Sequence, residues 1–146
     1  LIPQGIRDLW VWVTGGEPYD RDLRELLRVF RKRRCSVAVA TSGIHRAIEP
    51  VDWLSVSPHG GELKQRFGSE VKLVEGLNGL DLDKWIEENP DSSNDFFFRY
   101  CQPLAVRNSN GTYSEDAESL QRCMKFLQLH PNWCLSRQDH HEWGAL

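Results

Sequence analysis

Six short apolar runs punctuate this 146-residue chain, and each breaks off in small or polar residues. They are Trp10–Val13, Ser36–Ala40, Trp53–Val56, Val71–Val74, Phe96–Tyr100 and Trp133–Ser136. Runs of this length, rich in Val and aromatics and bounded by Gly, Pro and Ser, read as strands. The second lacks polar alternation, as in a strand covered on both faces. Between several of the runs the apolar residues recur at helical spacing. Strand and helix therefore alternate, which predicts an α/β fold with a mostly parallel sheet in a single domain spanning 1–146. A parallel sheet collects the exits of its strands on one edge, and ligands bind there.

The exits here are chemically alike. They read Thr14-Gly15-Gly16-Glu17, Thr41-Ser42-Gly43, Ser57-Pro58-His59, Glu75-Gly76, Gln102-Pro103 and Gln138-Asp139-His140-His141. Converging on one rim, they suggest a cleft for a polar ligand of some size. The first exit carries the most chemistry. Two glycines let a ligand approach the backbone, and Glu17 sits on a short turn stiffened by Pro18. A fixed carboxylate beside exposed backbone suits a ligand with an ammonium group. The same residues would also serve as a plain strand-to-helix turn, and the local pattern leaves both readings open.

The helical segments are expected at Asp20–Arg34, Asp81–Asn89 and from Ser114 to Pro131, with a short helical turn at Ile44–Glu49. Leu23, Leu26, Leu27 and Phe30 form the apolar face of the first. Acids crowd its start and Arg31, Lys32, Arg33 and Arg34 its end, an order that complements the helix dipole rather than a nucleic-acid patch. Leu82, Trp85 and Ile86 share a face of the second. In the third, Ser114 is the expected N-cap, and Leu120, Cys123, Met124 and Leu127 the core face. Residues 104–113 read as a loop around Asn108-Ser109-Asn110-Gly111.

A net charge of −3 gives no electrostatic case for nucleic acid as a partner. No apolar run is long enough to span a membrane, and no signal-peptide pattern is present. Cys35, Cys101, Cys123 and Cys134 are widely spaced, with no Cys-x-x-Cys pair, and fit reduced cysteines of a cytoplasmic protein. His130, Cys134, His140 and His141 are zinc ligands by type but match no familiar zinc spacing. His140 better suits a substrate hydrogen bond or proton shuttle.

Several of these motifs carry a family resemblance. Val13-Thr14-Gly15-Gly16-Glu17-Pro18 resembles the S-adenosylmethionine-binding G-G-E-P motif of radical SAM enzymes. Ser57-Pro58, Gln102-Pro103 and the run Asn132-Trp133-Cys134-Leu135-Ser136-Arg137-Gln138-Asp139-His140 are together similar to 7-carboxy-7-deazaguanine synthase, whose chains end in an N-W-x-L-S-x-Q-T-H-K run. The resemblance implies a partial (β/α) barrel of the radical SAM type and a cytoplasmic enzyme of queuosine and deazapurine biosynthesis. It implies S-adenosylmethionine, a [4Fe-4S] cluster and Mg²⁺ as cofactors, with 6-carboxy-5,6,7,8-tetrahydropterin as substrate. By matching motifs, Gly15, Gly16 and Glu17 would hold the methionine ammonium. Thr41, Ser42, Ser57 and Gln102 would lie near S-adenosylmethionine, and Thr14 and His140 would contact the pterin. The family's C-x-x-x-C-x-x-C cluster motif does not occur in these residues. The expectation is therefore the C-terminal portion of such a barrel, its N-terminal strands missing. It would be completed by a cluster-bearing segment or partner, or paired as a homodimer; the alternative is a cluster-free protein that binds pterins or nucleosides.

Overall fold

The computed structural model describes residues 8–60, 62–90 and 95–137. The main sheet has six strands: β1 (Trp10–Val13), β2 (Ser36–Thr41), β3 (Trp53–Val56), β4 (Gly68–Glu75), β5 (Phe96–Pro103) and, last in the chain, β8 (Cys134–Leu135). Every pairing in it is parallel, and the spatial order β1-β2-β3-β4-β5-β8 is the chain order. A parallel sheet that always adds its next strand on the same side is wound in one direction. Right-handed crossovers then place all connections on one face, as in a partial (β/α) barrel.

Three helices occupy that face: α1 (Arg24–Lys32), α2 (Leu82–Glu88) and α3 (Ala117–Leu129). Val37 and Val39 of β2, Val56 of β3, Val71 and Leu73 of β4 and Cys101 of β5 alternate with inward positions. They are buried in one cluster with Leu27 of α1, Leu82 and Trp85 of α2, and Cys123 and Phe126 of α3. Trp133 closes the cluster near β8, edge-on to Trp85 at 6.2 Å and to Phe126 at 5.4 Å. Period-two burial on one face is what a sheet covered by helices requires.

Several expected elements take a different form. The expected helix at Asp20–Arg34 is a 3-10 turn at Pro18–Asp20, a break, and then α1. Asp22 sits in the break and grips Arg24 through both carboxylate oxygens, so the guanidinium pulls the Asp22 carboxyl down to about 2. Leu23 and Leu27 are buried as expected, but Leu26 is 40% exposed. The segment Ile44–Glu49 forms bends rather than a helical turn. Residues 104–113 are not all loop, since β6 (Ala105–Arg107) and β7 (Tyr113–Glu115) pair antiparallel as a hairpin between β5 and α3. The N-cap of α3 is Asp116, whose Oδ2 accepts from the Ser119 amide at 2.7 Å, while Ser114 belongs to β7. The buried stripe of α3 is Ser119, Cys123 and Phe126, which leaves Met124 exposed. No helix among the described residues is long and apolar enough to cross a membrane.

Candidate functional site at the strand tips

The β1 exit turns on its glycines. Gly15 and Gly16 have φ of +92° and +59°, and an added Cβ would meet nothing within 4 Å at either. The pair is needed for the left-handed backbone, and the space beside it is open. This turn aims Glu17 across to the neighbouring strand. Its Oε1 accepts from the Tyr19 amide at 3.1 Å and the Thr41 hydroxyl at 2.6 Å. Its Oε2 accepts from the Ser42 amide at 2.8 Å and the Ser42 hydroxyl at 2.5 Å. Burial works to raise the Glu17 pKa, but the hydrogen bonds from Ser42, Thr41 and Tyr19 outweigh it, and the carboxyl is held below its usual range. The same tip buries Tyr19, whose phenol is pushed up to about 12 by burial and by the adjacent Glu17 charge.

The β2 exit is rigid for a different reason. Gly43 has φ +80°, and a Cβ there would lie 2.6 Å from Leu63 Cδ1 and 2.9 Å from Val56 Cγ1. Its carbonyl accepts from the Lys64 and Gln65 amides at 2.8 and 2.9 Å. The Ser57 amide in turn donates to the Thr41 carbonyl at 2.8 Å. Three consecutive tips are thus tied into one corner.

The inward face of the sheet opens beside this corner as a cleft of about 800 Å³. Trp12 and Thr14 border it from β1, Ala40 from β2, and Ser55 and Ser57 from β3 and its exit. Lys72 and Val74 of β4 and Gln102 of β5 continue the floor, and Leu104, Ala105 and Tyr113 of the hairpin segment form the far wall. The volume suits a small-molecule ligand. Next to the floor, the Ser55 hydroxyl donates to the buried Glu70 carboxylate at 2.6 Å. Lys72 makes no ion pair among the described residues, so a cation faces the cleft.

Thr14, Ser57 and Gln102 line this cleft; Gly15, Gly16, Glu17 and Ser42 do not line it but are joined at the β1 and β2 tips, directly after Thr14 and Thr41. Thr41 is buried and reaches the site only through Glu17. Gln102 is buried, its Oε1 accepting from Ser136 at 3.3 Å. Gln138 and His140 lie outside the described residues. Glu75, expected on the same rim, belongs to the opposite face. It receives Arg122 of α3 at 2.5 Å and the Leu82 amide of α2 at 3.1 Å, and so ties two helices to β4. Sequence reasoning passed over Trp12, Glu70, Lys72 and Tyr113. The available signal for the middle pair was the alternation of Glu70 and Lys72 with Val71 and Leu73.

No family model matches the chain. Curated relatives do. It is 32% identical over 134 residues to the 7-carboxy-7-deazaguanine synthase of Nitratidesulfovibrio vulgaris, covering 90% of this chain and 56% of the relative. It is 30% identical over 144 residues to that of Bradyrhizobium diazoefficiens, covering 92% of this chain and 59% of the relative. Over nearly all of its length the chain is similar to 7-carboxy-7-deazaguanine synthases. It spans less than two thirds of the length of these relatives. The crystal structure of QueE from Escherichia coli superposes with a TM-score of 0.61 at 24% identity, over 92% of this chain and 58% of that one, so the fold is shared.

The residues of this synthase-like chain fit the implied cofactors unequally. The open glycine turn, the ionised Glu17 and the adjoining cleft suit the methionine end of S-adenosylmethionine. The cysteines do not suit an iron-sulfur cluster, which needs closely placed thiolates. Cys35, Cys101 and Cys123 are buried and Cys134 is exposed on β8. The Cys101–Cys123 hydrogen bond, with burial, raises the Cys123 pKa and keeps that thiol protonated. Among the described residues no group of three or more His, Cys, Asp and Glu could hold a metal ion.

Proposed function

We propose that this chain forms the S-adenosylmethionine- and pterin-binding part of a radical SAM enzyme that converts 6-carboxy-5,6,7,8-tetrahydropterin to 7-carboxy-7-deazaguanine. The observation that carries the reading is the hydrogen-bonded Glu17 corner at the strand tips, next in the chain to Thr14 of a cleft that also holds Lys72 and Gln102. Glu17 and the Gly15–Gly16 backbone hold the methionine ammonium. Ser42, Ser57 and Gln102 bound the S-adenosylmethionine, and Thr41 keeps Glu17 oriented. Thr14 faces the pterin, joined by His140. The Glu17 carboxylate already accepts four hydrogen bonds. An arriving ammonium therefore exchanges with the Ser42 hydroxyl, the donor freest to rotate. Mg²⁺ assists on the substrate side. These cysteines would not hold the cluster; one carried by another segment or a second chain would supply the reducing electron for S-adenosylmethionine. The protein's own task is to position both ligands and keep water from the radical.

The test is anaerobic iron-sulfur reconstitution of the intact gene product, with S-adenosylmethionine and the pterin added. The expected products are 5′-deoxyadenosine and 7-carboxy-7-deazaguanine. A reconstituted cluster that yields neither contradicts the enzyme reading. The dispersed cysteines favour one second reading, a cluster-free protein that keeps the cleft and binds pterins or nucleosides without turnover. Tight pterin binding by iron-free protein that never develops cluster absorbance supports it.

A further inference from the structure

Aromatic residues border the cleft, and its floor combines small side chains with Lys72, Val74 and Gln102. Trp12 lines it from edge strand β1 and is 54% exposed. The register sets Trp12 beside Ala38, and the next inward positions are Ala40 and Ser55. Ala38 separates Trp12 from Trp53 in that row, and the methyl of Ala40 and the hydroxymethyl of Ser55 follow in the next row on the same face. Tyr113 of the hairpin borders the same cleft and is 45% exposed. The other described cleft-side and core tryptophans differ. Trp53 stacks on Phe98 at 5.6 Å, and Trp85 and Trp133 meet edge to face. Trp12 has no aromatic partner among the described residues. A half-exposed indole without an aromatic partner among the described residues, bordering the same cleft as Ala40, Ser55, Lys72 and Gln102, is a stacking surface without its stacked ring.

We propose that Trp12 is the stacking face for a fused, flat nitrogen heterocycle bound in this cleft, and that Ala40 and Ser55 are small to admit it. The inference rests on the S-adenosylmethionine and pterin reading and deepens it by naming the residue that selects the ring. Both ligands carry such a ring, a purine in one and a pterin in the other. Stacking on an indole is favourable for either. Trp10, two residues earlier and 49% exposed, does not border the cleft, so it serves as the control.

Titration calorimetry of the wild-type chain, Trp12→Ala, Trp12→Phe and Trp10→Ala tests this, with S-adenosylhomocysteine as the purine probe and 6-carboxypterin as the pterin probe. Trp12→Ala is expected to weaken one probe by about 5- to 100-fold. Trp12→Phe keeps most of the affinity and Trp10→Ala all of it. The probe that suffers identifies the ring. Ligand-induced quenching of tryptophan fluorescence is expected in wild type and lost in Trp12→Phe, which decides the matter even if Trp12→Ala fails to fold. Binding and quenching unchanged in the Trp12 variants would overturn the stacking role while leaving the site intact. Failure of wild type to bind either probe would overturn the site reading and the stacking role with it.

Discussion

Glu17 joins two strand tips that the sequence alone could not bring together. Its type and its turn marked it as a binding carboxylate, but its partners Thr41 and Ser42 lie 24 and 25 residues away. Only the β1–β2 register puts them in reach. Because hydrogen bonding holds its folded pKa below the usual 4.5, the ionised form contributes stability above the unfolded value. That contribution is lost as pH falls through the depressed folded value. Glu17→Gln abolishes this dependence and turns an amide NH₂ toward donors. The variant is expected to be about 1–2 kcal/mol less stable at neutral pH. Its stability should also fall less steeply than wild type's below about pH 4.5 in denaturant titrations. Parallel slopes there would show that Glu17 is not the group responsible. Glu70 and Lys72 escaped notice for a related reason. Inside a strand, which side a charge takes depends on the neighbouring register, and here Glu70 pairs with Ser55 and Phe98.

Among the elements, the strands of the main sheet were legible because their Val-rich and aromatic runs are bounded by glycine and proline. The β6–β7 hairpin was not, since three-residue strands carry too little periodicity to stand out from a loop. Its turn signal, Asn108-Ser109-Asn110-Gly111, was visible without the pairing it implied. Missing the hairpin also misplaced the cap of α3, because Ser114 is consumed by β7 and Asp116 begins the helix. The core stripe was misread as well, with Met124 in place of Phe126. The cap can be tested directly. Asp116→Ala is expected to lower stability by about 1 kcal/mol, whereas Ser114→Ala changes it by a few tenths at most. Thermal melts showing the reverse order would restore Ser114 as the cap.

The whole molecule separates its two tasks by sheet face. One face packs its branched side chains against α1, α2 and α3, and the other carries the cleft, bordered by Trp12, small residues, Lys72 and Gln102. That division was legible as strand–helix alternation, which already placed the chemistry at the strand exits. Which exits truly share the site was not legible, because Glu75 differs from Gln102 only in the face it takes. Strand β1 ends the sheet with no partner on its far side among the described residues, and such an edge invites a further strand. The central claim is that these joined tips are an S-adenosylmethionine site. At 16.9 kDa, the chain suits amide chemical-shift mapping by NMR during titration with S-adenosylmethionine. The account predicts saturable shifts concentrated at Gly15, Gly16, Glu17, Ser42, Ser57 and Gln102. Shifts gathered instead at the apolar groove of Ala47, Val51, Phe67 and Phe97, or none at all, would contradict it.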